Sequence, residues 1–107
     1  MAASCRRTIL FTPAAADDLD AAFAYVSERD RTAAAALLAR LQDTVQHLAD
    51  FPEMGVALSH EDFELIAPGV RFVVEEPYLV FYRVTDTAVV VLRILHSRRD
   101  SLGELLG

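Results

Sequence analysis

Apolar residues recur along this 107-residue chain on two different periods, and the change of period divides it. Between residues 13 and 50 they return every three or four positions. Leu19, Ala22, Phe23 and Val26 make one i, i+3, i+4, i+7 stripe, and Ala34, Leu37, Leu38, Leu41, Val45 and Leu48 make a longer one. These stripes predict a helix over residues 13–28 and a second one starting after Asp30 or Thr32 and ending at Asp50-Phe51-Pro52, where proline stops the hydrogen bonding. Thr12-Pro13 is a good helix start, because threonine caps and proline at the first helical position loses no needed N–H. Asp17, Asp18 and Asp20 then lie toward the positive end of the helix dipole. Alanines at 33–36 and 39 raise helix propensity and permit close approach of a neighbour. So few residues separate the helices that they should form an antiparallel hairpin.

The rest of the pattern is strand-like. A β-branched and apolar run, Thr8–Phe11, precedes the first helix. After residue 69 come three more runs, 70–75, 78–84 and 88–95, separated by Glu76-Pro77 and by Thr85-Asp86-Thr87. Connections this short pair consecutive strands antiparallel, as a meander. Val89, Val90, Val91 and Leu92 are apolar on both faces, which suits the sheet interior. Residues 53–68 have no clear period and read as a loop with a short strand near 63–66. Residues 101–106 suit a short terminal helix, and 1–7 a frayed leader. The expected architecture is β-α-α-β-β-β: one domain over 1–107, α+β, with a helical hairpin packed on an antiparallel sheet.

Composition narrows the function. A chain of this length buries roughly 60–70% of its extended surface, enough for one core, and 53% hydrophobic residues argue against disorder. Cys5 is the one cysteine, so an internal disulfide is impossible and nothing points to an oxidising compartment. No apolar run approaches the roughly 20 residues of a membrane span, and the N-terminus lacks the apolar core of a secretory signal. A cytoplasmic location is expected. Residues 1–66 hold five arginines against eleven acids, residues 67–107 five against five, and there is no lysine. A net charge of −6 disfavours a general grip on phosphate backbones, and no direct sequence-specific nucleic-acid binding is expected.

The candidate working residues are mostly basic and late. His96, Arg98, Arg99 and Asp100 form a polar cluster that either contacts a partner or fixes the sheet end through local pairs. Arg71, Arg83 and Arg93 fall on three neighbouring strands. Arg93, sharing a face with Val89 and Val91, is expected to pair with Glu75 or Glu76, since a buried arginine must be paired. His47, His60, Glu61, Asp62 and Glu64 match no standard zinc spacing, so no metal and no cofactor is expected. Tyr78, Phe81 and Tyr82 read as core residues rather than a base-stacking platform. Ser27 and Ser59 have no triad company.

Several pieces, in this order, resemble the RelE/ParE superfamily of type II toxin–antitoxin systems, the ParE branch in particular. They are Thr12-Pro13-Ala14-Ala15-Ala16-Asp17-Asp18-Leu19, then Leu48-Ala49-Asp50-Phe51-Pro52-Glu53-Met54-Gly55, then Gly69-Val70-Arg71 and Tyr78-Leu79-Val80-Phe81-Tyr82-Arg83-Val84. The last runs from Val91 to Asp100 and includes Arg93, His96, Arg98 and Arg99. The resemblance covers about residues 9–106. It implies either of two activities, cleavage of messenger RNA on the ribosome in RelE-like members or poisoning of DNA gyrase in ParE-like ones.

The same resemblance aligns the ribonucleases' catalytic arginine with Leu79, their C-terminal tyrosine or histidine with about Leu105, and their basic strand positions with about Val70 and Phe72. The late arginine alone has a counterpart, Arg98 or Arg99. Phosphodiester cleavage needs a general acid or base, worth about 10²–10⁴ in rate, and cations for the developing charge. The expectation is therefore a non-enzymatic toxin that inhibits gyrase, neutralised by a co-encoded ParD-like antitoxin that folds onto its apolar surfaces over more than roughly 1,000 Å². Arg71, Arg83, Arg93, His96, Arg98 and Arg99 are the expected target- or antitoxin-binding residues. The alternatives are a ribosome-dependent endonuclease built on Arg71, His96 and Arg99, or an interaction module without toxicity.

Overall fold

Thr12 is the joint between the first strand and the first helix. The computed structural model, which describes residues 7–57 and 69–97, shows β1 (Thr8–Phe11) running directly into it. Thr12 Oγ1 accepts from Ala15 N at 3.0 Å, Pro13 takes the first helical position, and α1 (Pro13–Ser27) follows. Asp30 caps α2 (Arg31–Asp50) in the same way, accepting from Ala33 N at 3.0 Å. Each cap satisfies a backbone donor that the helix itself leaves unpaired. The helices pack as a hairpin against one face of the sheet.

That sheet has five strands in the order β1-β5-β4-β3-β2. Here β2 is Val56–Ala57, β3 Val70–Glu75, β4 Tyr78–Val84 and β5 Ala88–His96. The three long strands form the expected antiparallel meander, with a cis Glu76–Pro77 bond in its first turn. β1 lies parallel to β5, in register from Thr8↔Ala88 to Phe11↔Val91, so the sheet is mixed rather than antiparallel. Apolar alternation sets which face a residue joins and is blind to the direction of its neighbour. The two-residue β2 adds a strand to the expected β-α-α-β-β-β order and is too short to show any period. The strand expected near 63–66, the terminal helix and the leader over residues 1–6 lie outside the described residues.

β5 carries an irregularity that matters later. Phe81 pairs with Arg93 but Tyr82 pairs with Val91, so Leu92 is an extra residue. Such a bulge shifts the alternation by one. Val89, Val91 and Ile94 therefore all belong to core clusters on the helix side.

Two apolar layers result. Against the helices, Val80, Tyr82, Val89 and Val91 bury completely beneath Leu37, Leu41, Val45 and Leu48. Each large aliphatic side chain removed from water contributes about 1.5–3 kcal/mol. α1 meets the sheet through small residues, Ala15 and Ala22, with Leu19 and Val26 partly buried. Phe23, expected in that stripe, is 40% exposed instead. An alanine contact brings the α1 backbone close to the sheet, and the next residue round turns outward. On the opposite sheet face, Val70, Phe81 and Leu95 form a second buried cluster, with Phe72, Leu79 and Leu92 against it.

Tyr82 ties the sheet to the chain leaving α2. Its hydroxyl donates to Pro52 O at 2.8 Å and accepts from Gly55 N at 2.9 Å. A Cβ on Gly55 would stand 2.4 Å from that hydroxyl and 2.7 Å from Phe72 O, so this position admits no side chain. Gly55→Ala is expected to cost about 1–3 kcal/mol in urea unfolding through overpacking and the displaced hydroxyl. Burial raises the Tyr82 hydroxyl above its ordinary value of 10.0, offset in part by the Gly55 N–H and by Arg71. The unfolded chain then loses this proton before the folded one does. Stability is fully present below about pH 10 and falls as pH rises through the folded-state value. Tyr82→Phe, although less stable at neutral pH, is expected to show a flatter decline in the same alkaline titration.

Candidate functional site

β5 outruns its neighbour. β1 covers it only as far as Val91, and the remaining edge of β5 needs other partners for its backbone groups. Thr12 N donates to Val91 O at 3.0 Å, and Thr12 Oγ1 donates to Leu92 O at 2.9 Å. One helical turn and a half further on, Asp18 accepts from Ile94 N at 2.9 Å through Oδ2. The same carboxylate accepts from Arg93 Nε at 2.7 Å and from Arg93 Nη2 at 3.0 Å. The start of α1 thus continues, with side chains, the edge pairing that β1 begins. A bidentate arginine–carboxylate contact is among the stronger charge-assisted arrangements, and these side chains are only 23% and 15% exposed.

Arg93 is therefore paired, as expected, but with Asp18 and not with Glu75 or Glu76. The bulge at Leu92 is the reason, because it takes Arg93 off the face of Val89 and Val91. Glu75 is engaged with α2: Thr44 Oγ1 donates to it at 2.7 Å and Arg40 Nε at 3.3 Å. Asp18 does not serve the helix dipole; the first turn of α1 holds no acid. Its role had one legible sign. Asp18 falls between Ala15 and Ala22 on the buried stripe, and an acid there requires a partner inside.

The other candidates do not converge on one end of the sheet. Arg71 donates from Nη1 to Gly55 O at 2.8 Å and to Glu53 O at 3.5 Å, beside the Tyr82 clasp. Arg83 pairs across from Val70 and Val90, at one end of β4, and is partly buried. His96 stands at the other end, opposite Tyr78, five residues or roughly 17 Å away at the usual strand rise. There the Tyr78 and His96 rings meet edge to face at 5.2 Å. They help to line a groove of about 390 Å³ with Tyr25, Arg40 and Pro77. The Arg29 guanidinium lies 4.4 Å over the Tyr25 ring nearby. Arg98 and Arg99 lie outside the described residues.

Among the described residues no group of three or more His, Cys, Asp or Glu side chains is placed to share a metal ion. His60, Glu61, Asp62 and Glu64 are outside them. No described helix is long and apolar enough to cross a membrane.

Comparison with known proteins decides the family. Residues 9–101 match the model of the ParE toxin of type II toxin–antitoxin systems, parDE. This chain belongs to the ParE toxin family. It is 32% identical over 98 residues to Toxin ParE3 of Caulobacter vibrioides, covering 91% of this chain and 93% of that toxin. Among solved structures it is similar to a chain of the chromosomal ParDE system from P. aeruginosa, with a TM-score of 0.68 and 27% identity. That match covers 87% of this chain and 98% of the other. It is also similar to a chain of the RelBE2 toxin–antitoxin complex from Mycobacterium tuberculosis, with a TM-score of 0.58 and 26% identity, covering 89% and 94%.

For this ParE-family toxin, the Asp18–Arg93 contact gives a stability test. Asp18→Ala removes three hydrogen bonds, one from Ile94 N and two from the Arg93 guanidinium. The expected loss is about 2–3 kcal/mol, discounted for partial exposure. In a double-mutant cycle with Arg93→Ala, the losses should be less than additive by about 1–2 kcal/mol. Additive losses in chemical denaturation would refute the coupling.

Proposed function

We propose that this type II toxin of the ParE family disables DNA gyrase by binding it, and that a ParD-like antitoxin holds it inactive in the cytoplasm. The observation that carries the choice is the face of the sheet turned away from α1 and α2. There Leu79, at the position aligned with the ribonucleases' catalytic arginine, packs against Val70, Phe81 and Leu95, with Phe72 and Leu92 beside it. An apolar cluster supplies neither the proton transfer nor the cations that phosphodiester cleavage requires. The reading of the chain as a binder rather than an enzyme rests on that cluster. The antitoxin is supported by the two structural relatives, which come from a ParDE system and a RelBE2 complex.

Of the described basic candidates, Arg83 and His96 stand toward opposite ends of the β4–β5 pairing, and both are partly exposed. Purified toxin is expected to block supercoiling by gyrase and to accumulate cleaved DNA, while translated messages remain intact in primer extension. Arg83→Ala and His96→Ala should each weaken gyrase inhibition by about three- to tenfold, the range of one lost interfacial contact of roughly 1 kcal/mol. Absence of trapped cleavage at saturating toxin would refute the gyrase assignment. Message cleavage abolished by His96→Ala would establish the endonuclease in its place, and normal growth during unopposed expression would favour a module without toxicity.

A further inference from the structure

Four parts of the fold meet at the sheet end that carries Tyr78 and His96. Tyr25 on α1, Arg40 on α2, Pro77 in the β3–β4 turn and His96 at the end of β5 all line the groove of about 390 Å³ there. That volume falls within the roughly 300–1,000 Å³ of small-molecule sites. α2 contributes Ala33 and Ala36, which leave room that longer side chains would fill. Val26, Leu37 and the buried Tyr78 give the groove its apolar surface.

Rings and guanidiniums come together in the same place. Tyr25 is 39% exposed, and the Arg29 guanidinium lies 4.4 Å over its ring. On the sheet side the Tyr78 and His96 rings are in edge-to-face contact. Among the described residues Arg40 gives Nε alone, to Glu75 at 3.3 Å, and its side chain is 49% exposed. The rest of its guanidinium fork is open to a ligand. The charge of the hairpin also changes sign here. α1 carries Asp17, Asp18 and Asp20 toward its start, whereas Arg29, Arg31 and Arg40 follow its end. Asp30, the one acid between those arginines, caps α2. Glu28 and Glu76 are exposed, and neither lines the groove.

We propose that this groove binds a small planar ring that carries a phosphate or carboxylate group. The ring lies against Tyr25 and the alanine-lined wall of α2, because aromatic side chains and guanidinium planes both favour contact with a planar ligand. The anion lies at Arg40, whose fork can donate to two oxygens of a phosphate or carboxylate, with the Arg29 charge nearby. A cationic ligand would meet both arginines as like charges. An anion without a ring would leave the apolar wall in water, and a ring without an anion would leave the guanidinium unused, so the site asks for both halves in one molecule. The inference makes no use of the gyrase or antitoxin readings and stands apart from them.

The test follows backbone amide NMR shifts of the full-length toxin during titration. AMP and benzoate stand for the phosphate and carboxylate forms, and adenosine, benzyl alcohol and inorganic phosphate each lack one half. At least one of the two ring anions is expected to saturate with a Kd of about 1 mM or tighter, with shifts centred on Tyr25, Ala36 and Tyr78. Which of them saturates assigns the anion. The three half-ligands should bind at least about tenfold more weakly, as expected when each lacks one set of contacts. Ala36→Leu, at an exposed helical position, fills the groove without changing the charge and should weaken binding at least about tenfold. Ala36→Met makes the same test if the leucine variant fails to fold. Arg40→Gln should weaken binding about three- to fivefold, as for one exposed charge contact. Arg7→Gln removes a positive charge beside Thr85, at the far end of the sheet, and should stay within about twofold of wild type. Saturation by neither ring anion, equal binding of the half-ligands, shifts centred elsewhere, or unchanged binding in the Ala36 variants overturns the proposal.

Discussion

One carboxylate holds the two ends of this fold together. Asp18 receives the β5 backbone at Ile94 and the Arg93 side chain at once, on an edge that β1 is too short to cover. Buried or half-buried peptide groups must find partners, and β5 is five residues longer than the strand beside it. Thr12 and Asp18 make up the difference. The position of α1 follows from that requirement, and the hairpin partner α2 follows α1. The bulge at Leu92 belongs to the same device, because without it Arg93 would sit on the face of Val89 and Val91.

The two sheet faces then divide the chemistry. The helix side is a close-packed core in which alanines bring backbone against backbone. The other side is apolar as well, centred on Val70, Phe81 and Leu95. Charged side chains are left at the strand ends and on the outside of the hairpin.

Local signals were legible in the residues. The capping threonine and aspartate, the proline of α1 and the Leu37, Leu41, Val45 and Leu48 stripe each specify structure within one or two turns, and each appears where expected. The meander was equally readable, because its turns are short. What the pattern could not show depends on residues far apart in the chain: the parallel seat of β1, the identity of the Arg93 partner, and the short β2 held against β3. Phe23 was misplaced because a 3.6 period does not say how wide a stripe must be when the contact is made by alanine. The candidate site scattered for a related reason. Arg71, Arg83 and Arg93 lie on three different strands, and partners distant in sequence decide where each side chain is held.

The parallel seat of β1 also sets an order in time. Thr8 and Ala88 are partners, so β1, made early in translation, waits for β5. A nascent chain that has emerged only as far as Val84 has its hairpin and most of its meander, yet the sheet lacks the strand that joins β1 to β4. Asp18 at that moment has no Arg93. Closing so long a loop is entropically slow compared with forming the hairpin or the meander turns. Most of the chain is therefore synthesised before the toxin has its shape.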